Sequence, residues 1–217
     1  MRHKTNRLVF LVVSVMLVGM LFSPGFSAVK FGVKGGLALA NWSTSEPLFG
    51  GFPLKNKTGF VLGVFTNIGL ARNFSFQPEI LYVQKGTKVA VTEGEVTGTV
   101  KFNTDYLEIP LLLMYSFQKE GSTLIPSVFA GPFVGLNLSA KEKVKIPGEE
   151  YTYDFKDEIM NVEYGLTFGL GLAKKMSKMT LHSDIRYDLG LSNVAEDAGE
   201  GFSIKTRTWL FMLGISF

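Results

Sequence analysis

The last nine residues of the chain, 209–217, restrict its fold more than any other stretch. Read with the two-residue period of a β-strand, they carry a continuous row of large apolar side chains on one face and no charged group on the other. The row consists of Trp209, Phe211, Leu213, Ile215 and Phe217. A tilted strand needs about nine to eleven residues to cross a bilayer. The stretch therefore predicts a membrane-crossing strand, with an edge strand of a soluble sandwich as the alternative.

The first 27 residues, 1–27, have the pattern of a secretory signal peptide. Arg2, Lys4 and Arg7 precede an apolar run of fifteen residues, and a Pro-Gly break follows that run. An uncleaved membrane anchor would need about twenty apolar residues, so the pattern favours cleavage. We expect residues 28–217 to form one mature domain.

Composition excludes several classes of function. The chain has 22 Lys and Arg against 19 Asp and Glu, and three of the basic residues lie in the predicted signal, which leaves 19 of each. A nearly neutral mature protein without a basic, aromatic-rich patch gives no indication of nucleic-acid binding. Cysteine is absent, which excludes disulfides, thiolate metal sites and cysteine nucleophiles.

Seven further segments alternate between apolar and small or polar residues and are predicted to be strands. They cover 30–42, 57–68, 74–89, 100–117, 124–139, 158–173 and 179–193, and the terminal strand makes eight. Pro78 interrupts the third segment, where we expect a bulge or a local break in pairing. Only helices and closed barrels satisfy every backbone group in hydrocarbon, and no mature segment is long and apolar enough for a membrane helix. The predicted fold is all-β: an eight-stranded antiparallel up-and-down transmembrane β-barrel, preceded by a cleaved signal peptide.

The predicted connections alternate between long and short. Polar loops are predicted at 43–56, 92–99, 140–157 and 194–201, whereas tight turns separate the remaining strands. Long loops at one end and short turns at the other are typical of outer-membrane barrels, in which the long loops lie outside the cell.

One face of most predicted strands carries glycines and ionisable groups, and we assign it to the barrel interior. Eight strands enclose only enough space for their own side chains, so inward Phe65, Phe129, Phe133 and Met114 should fill the lumen. Ionisable groups buried there must pair. Lys85 also falls on this face. The predicted lumen network comprises Lys34, Glu79, Glu108, Glu163, His182, Asp184, Arg186 and Asp188.

No catalytic, metal or cofactor site is predicted. His182 and Ser183 are adjacent on a strand, point to opposite faces and cannot form a nucleophile and base pair. His182 is the only histidine outside the predicted signal, so a conventional histidine metal site is not available. The acids near Glu149 and Glu158 belong to a charged segment that we interpret as a solvated loop.

Five short motifs are distributed over nearly the whole mature chain. In chain order they are GVKGGL at 32–37, FQPEILY at 76–82, YLEIPL at 106–111, GPFVG at 131–135 and RYDLGLSN at 186–193. Together they resemble the PorT-like outer-membrane β-barrel family of Bacteroidetes and related bacteria. The resemblance implies an eight-stranded outer-membrane barrel and, for most members, no established activity. Some relatives belong to a protein-secretion machine, a role that these residues do not distinguish. The terminal apolar row resembles the assembly signal of such barrels.

The sequence thus predicts a small protein of the bacterial cell outer membrane with a plugged polar lumen and a structural or interaction role. The expected partners are outer-membrane lipid, the barrel-assembly machinery and an unidentified protein at the extracellular loops, with no nucleic acid. The alternatives are an outer-membrane lipid-modifying enzyme, a narrow porin or transporter, and a soluble periplasmic barrel with an apolar ligand. The enzyme would need Ser, His and acid on one face, the porin would conduct ions, and the soluble barrel would have a polar exterior.

Overall fold

Antiparallel β-strands make up most of the chain. The computed structural model describes residues 27–47, 52–93, 96–196 and 201–217. Its strands are β1 Ser27–Thr44, β2 Leu54–Gly69, β3 Phe74–Glu93, β4 Val96–Ser116, β5 Leu124–Ile146, β6 Glu149–Asp154, β7 Val162–Lys175, β8 Thr180–Gly190 and β9 Ile204–Ser216. One 3₁₀ turn, Lys156–Glu158, follows β6. None of the described residues form a helix with the length and apolar character needed to cross a bilayer.

Eight of these strands form a closed ring. Each of β1 to β5 pairs with its neighbour in sequence, β5 then pairs with β7, and β7, β8 and β9 follow in order. Strand β9 closes the ring by pairing with β1 from Gly32↔Ser216 to Thr44↔Ile204. Strand β6 pairs with the end of β5 and lies outside the ring. The prediction of an eight-stranded antiparallel barrel is confirmed.

Alternation along each strand separates an apolar exterior from a mixed interior. In β9, Leu213 is 71% exposed, whereas its inward neighbour Met212 is 3% exposed. The same alternation runs through β7, where Leu170 faces outward and Thr167 is buried. The charged residues of β9, Lys205 and Arg207, precede its outward apolar row. The exterior therefore has an apolar belt of membrane width, and the inward-facing residues form the core.

The two ends of the barrel differ in construction. At one end, the turn end, consecutive ring strands are joined by the short segments 70–73, 117–123 and 176–179, as predicted. At the opposite end, the hairpin end, the connections after β1 and β8 are longer, and parts of them, 48–51 and 197–200, lie outside the described residues. The predicted signal peptide, 1–27, also lies outside the described residues, apart from Ser27, at which β1 begins.

Two predicted loops at the hairpin end are wrong. Residues 92–99 belong mostly to β3 and β4, which continue to Glu93 and resume at Val96. Residues 140–157 are not a loop, because β5 continues to Ile146 and β6 returns beside it. In the second segment, Lys141, Lys143 and Lys145 are exposed on the outward face, where water replaces lipid. Apolar alternation, the signal on which the prediction relied, is therefore missing although the backbone pairing continues.

Pro78 interrupts pairing without shifting it. Towards β2, pairing resumes after Phe65↔Glu79 at Ile68↔Phe76 in the same register, so the expected local break is present and a bulge is not. The register shift between β2 and β3 lies instead between Asn56 and Val61. Gly86 lies opposite this region with a φ of 127°, and a Cβ there would lie 1.9 Å from a backbone oxygen. Glycine has no Cβ, so it tolerates both the positive φ and the close approach of this oxygen.

Candidate functional site in the barrel lumen

Four charged side chains meet in the middle of the lumen, and we call them the Arg186 cluster: Lys34, Glu79, Asp184 and Arg186. Lys34 Nζ lies 2.9 Å from Glu79 Oε1 and 2.7 Å from Asp184 Oδ2. Arg186 donates to both oxygens of Glu79, at 2.9 and 3.1 Å, and to Asp184 at 3.3 Å. Two cations thus balance two carboxylates. Strands β1, β3 and β8 supply them, so the cluster ties together opposite walls of the barrel.

A second group lies nearer the hairpin end, the Lys85 cluster: Lys85, Glu108, Glu163 and Thr206. The Lys85 ammonium contacts the Glu108 carboxylate and lies 3.2 Å from Glu163 Oε2. The Thr206 hydroxyl donates to Glu163. All four side chains are buried, and one cation serves two carboxylates. Removing a charged group from water costs on the order of several kcal/mol, and only close pairing offsets that cost. The stability of this cluster therefore depends on Lys85.

Each of the three cations in these two clusters also lies over a phenylalanine ring. Lys34 Nζ is 4.5 Å from the centroid of Phe65, Lys85 Nζ is 4.8 Å from that of Phe133, and Arg186 Cζ is 5.2 Å from that of Phe129. Cations in such positions are attracted to the negative face of the ring.

Each of these rings in turn occupies the space above a glycine of the adjacent strand. The directly opposed pairs are Gly32↔Phe65, Phe129↔Gly169 and Phe133↔Gly165. A Cβ on any of the three glycines would lie 2.3 to 2.6 Å from a ring carbon of its partner. The alternation of glycine and phenylalanine on inward faces therefore creates the aromatic floors on which the cations rest.

An apolar layer lies between the Lys85 cluster and the hairpin end. Its buried members are Trp42, Phe102, Val194 and Ile204, and Phe155 packs against them. The ring centroids of Trp42 and Phe102 are 5.1 Å apart, and Phe155 meets Phe102 edge-on at 5.7 Å. We call this layer the aromatic cap. Side chains from the ring strands and from the connections after β6 and β8 thus fill this part of the lumen.

The turn end is open by comparison. A cavity of about 390 Å³ is lined by polar residues that include Asn67, Gln77, Asp184 and His182. His182 Nε2 lies 2.8 Å from Ser216 Oγ, and the imidazole ring meets Phe65 edge-on at 5.2 Å. The serine beside His182 thus comes from β9, whereas Ser183, its neighbour in sequence, lies on the outer face. No group of three or more His, Asp or Glu able to hold a metal ion occurs within the described ranges.

The structure distributes the eight predicted network residues over several groups. Four form the Arg186 cluster, and Glu108 and Glu163 belong to the Lys85 cluster. Asp188 accepts a 2.6 Å hydrogen bond from Thr167, and His182 bonds to Ser216. Alternation places Lys85 inward but gives no reason to pair it with Glu108 on the neighbouring strand β4 and with Glu163 on β7, three strands along the ring. Thr206, Thr167 and Ser216 are equally absent from the predicted network, because sequence alternation marks a face and not a partner.

The five outward residues of the terminal row lie where alternation predicts them. Trp209, Phe211, Leu213 and Phe217 are exposed on the outer wall, and Ile215 is half-buried. Trp209 packs on Tyr187 of β8, with ring centroids 4.9 Å apart. Aromatic rings at this level are typical of the membrane interface of such walls.

Comparison with known proteins assigns the chain to a family. A family model described as outer membrane protein beta-barrel domain matches residues 21–196, which is most of the chain. This chain belongs to the outer membrane protein beta-barrel domain family. Membership places it in the bacterial outer membrane. In barrels of this kind the short turns face the periplasm, so the turn end is the periplasmic end and the hairpin end is extracellular. No match was found among curated proteins.

Several solved structures of outer-membrane proteins are similar to this chain. OprG from Pseudomonas aeruginosa has 15% sequence identity and a TM-score of 0.50, with 89% of this chain and 98% of that chain covered. Neisserial surface protein A has 15% identity and a TM-score of 0.47, with coverage of 88% and 97%. A major outer membrane protein from Thermus thermophilus has 13% identity and a TM-score of 0.47, with coverage of 88% and 99%. At these identities the likeness concerns the fold alone.

Proposed function

We propose that this family member is a non-catalytic outer-membrane barrel with a plugged lumen, whose extracellular surface has a structural or interaction role. The observation that carries the proposal is the succession of layers inside the barrel: the Arg186 cluster, the Lys85 cluster and the aromatic cap. Opposed walls contribute to each ion cluster, so the side chains span the lumen. An eight-stranded barrel leaves little space beyond its own side chains, which agrees with this arrangement.

Planar-bilayer recording tests the plug against the alternative of a narrow porin or transporter. We expect the purified full-length chain to give no steady current above that of a protein-free membrane, because charged and aromatic layers block the water path. A porin inserted in the same bilayers serves as the positive control. Steady, voltage-dependent ion currents from the wild-type chain would overturn the plugged lumen.

The proposed interaction surface is the part of the sheet beyond the membrane. Strands β3 to β6 continue there, and β6 is exposed over its whole length, with Tyr151 and Tyr153 stacked at 6.5 Å on it. An exposed strand that pairs with β5 alone among the described strands, and that carries two surface aromatics, is suited to binding another protein. Cross-linking from a photoreactive residue at Thr152 in intact cells tests this. Adducts with one partner are expected, and their absence would leave a purely structural barrel.

The lipid-modifying enzyme is the second candidate, and the contact between His182 and Ser216 is the observation that favours it. These residues face the periplasmic cavity and not the lipid, which argues against it. Mass spectrometry of lipid A from cells that carry His182→Ala or Ser216→Ala distinguishes the two proposals. We expect lipid composition identical to that of wild-type cells, and an altered acylation pattern would favour the enzyme.

Two narrower assignments are also proposals. The PorT-like resemblance suggests a place beside a secretion machine, which co-purification of secretion components with the full chain would test. The terminal row is proposed as the signal read by the barrel-assembly machinery. Phe217→Ser should lower the amount of protein in the outer membrane, whereas Phe117→Ser, which changes another exposed phenylalanine at the periplasmic end, should not. Equal amounts of the two variants in the outer membrane would show that the terminal row is not the assembly signal.

A further inference from the structure

Four lysines lie directly opposite one another across four neighbouring strands, and we call them the lysine row. The register pairs Lys55 with Lys88, Lys88 with Lys101, and Lys101 with Lys143. Opposed Cα atoms in antiparallel sheets are about 4.5 to 5.5 Å apart. Strands β2 to β5 thus present four ammonium groups side by side.

The row faces outward from the barrel wall. On β3, Thr87 and Val89 are buried, so Lys88 between them points outward. On β4 the inward neighbour Phe102 belongs to the aromatic cap and Val100 packs against that cap, so Lys101 between them points outward. Lys55, Lys101 and Lys143 are exposed, and Lys88 is half-buried. The lysines therefore project sideways from the wall and not into the lumen.

The row also lies beyond the apolar belt, on the extracellular side. The last large apolar residue on the outer face of β4 is Leu107, and Asp105 and Asn103 separate it from Lys101. Six residues of strand span roughly 20 Å along the strand, at about 3.4 Å per residue. Even on a tilted strand this takes Lys101 out of the hydrocarbon and beside the headgroups of the outer leaflet.

None of the carboxylates whose side chains the structure describes forms an ion pair with this row. Lys141 and Lys145, on either side of Lys143, stand opposite Asp154 and Glu150, whereas Lys143 stands opposite Thr152. Among the side chains described (29–47, 52–91, 98–196 and 201–217), no carboxylate lies within 4.0 Å of the ammonium group of any row member. Like charges directly opposite each other destabilise a sheet. Repulsion among the four lysines therefore lowers the stability of the sheet, and a bound anion would remove that repulsion.

We propose that Lys55, Lys88, Lys101 and Lys143 form a binding surface for phosphate-bearing headgroups of outer-leaflet lipid. The sideways direction of the row favours a lipid headgroup over a soluble polyanion, because the neighbours of the wall at this height are the headgroups of the lipids that surround the belt below. Several lysines at a membrane surface act together on anionic lipid. This inference goes beyond the proposed function and does not depend on the plugged lumen.

The test uses the full-length chain in a zwitterionic detergent, with native mass spectrometry to measure binding of bisphosphorylated lipid A. The quadruple variant Lys55→Gln, Lys88→Gln, Lys101→Gln and Lys143→Gln should bind at least about tenfold more weakly than the wild type. The matched control changes four exposed lysines at the periplasmic end: Lys119, Lys174, Lys175 and Lys178. It should bind as the wild type does. Heat-modifiable migration on gels confirms that both variants are folded.

Two further arms identify the ligand. Dephosphorylated lipid A should bind the wild type about as weakly as bisphosphorylated lipid A binds the row variant, and raising salt from about 0.1 to 1 M should weaken wild-type binding by screening. Equal binding by the row variant and the wild type, or by both lipids, would overturn the proposal. If a heparin fragment binds the row as tightly as the lipid does, the proposal of a lipid ligand is overturned, and the row is assigned to a soluble polyanion.

Discussion

At the scale of single residues, the lumen is organised by cross-strand pairs of phenylalanine and glycine, each carrying a cation. Sequence alternation predicts that Phe65, Phe129 and Phe133 face inward, and this can be read without a structure. It does not predict that Gly32, Gly169 and Gly165 are their partners, because the partner depends on the register between strands. For the same reason it identifies Lys85 as inward without relating it to Glu108 and Glu163.

Lys85→Met tests how much of the stability depends on a single buried cation. The change leaves two buried carboxylates without their ammonium partner, which typically costs about 3–5 kcal/mol of unfolding free energy. Urea unfolding in lipid vesicles measures it. The exposed control Lys119→Met should cost less than about 1 kcal/mol. Adding Glu108→Gln and Glu163→Gln to Lys85→Met should recover most of the loss, and a loss below about 1 kcal/mol for Lys85→Met alone would contradict the assignment.

Gly169→Ala tests the aromatic floor beneath Arg186. The new Cβ would lie 2.3 Å from a ring carbon of Phe129, and such overpacking costs about 1–3 kcal/mol. Gly135→Ala is the matched control, because its Cβ would come no closer than 3.3 Å to any heavy atom. In a double-mutant cycle, Phe129→Leu should relieve part of the cost of Gly169→Ala. Strictly additive unfolding free energies would contradict the contact between ring and glycine.

At the scale of elements, the eight membrane strands are predictable and their extracellular ends are not. The wall in lipid has an apolar face, and period-two alternation therefore identifies strands such as β7 and β8. Beyond the membrane both faces of β5 and β6 meet water or polar neighbours, so residues 141–154 have the composition of a loop while their backbone remains paired. Alternation within one strand shows which face a residue lies on, but it does not show which residue of the next strand is its partner.

Shortening the β5–β6 hairpin tests whether the barrel folds without its extracellular extension. Glu142 and Tyr153 are paired, so an Asn-Gly turn can replace residues 143–152 and join them. We expect heat-modifiable migration identical to that of the wild type, because the removed residues contribute no lumen layer. Deletion of Ala130 alone, which reverses the faces of half of β5, should abolish the folded band. Loss of that band in the shortened variant would show that the extension is needed for folding.

At the scale of the whole molecule, the apolar belt outside and the two ion clusters inside make this barrel an inside-out protein, with charged groups at its centre. Closure between β1 and β9 removes every free strand edge within the membrane. The sequence predicts this closure from composition and length, since no other β architecture satisfies the backbone in hydrocarbon.

A depth profile of arginine substitutions tests the position of the belt. Leu170 lies near the middle of β7 on the outer wall. The substitution Leu170→Arg should cost about 2–4 kcal/mol of unfolding free energy, because it places a charge in hydrocarbon. Leu191→Arg, just beyond β8 at the extracellular end, should cost about 0–1 kcal/mol. Urea titration in lipid vesicles compares the two. Equal costs would mean that the belt does not lie where the exposed side chains place it.

The continuation of β3, β4 and β5 past the membrane affects how anything docked there is held. These strands pass from lipid to water as one hydrogen-bonded sheet, with no flexible tether between the buried and the protruding part. A molecule bound to the protruding sheet is thus kept at a set height and angle above the cell surface. For any such molecule the barrel would act as a rigid mount, which sets its orientation as well as retaining it.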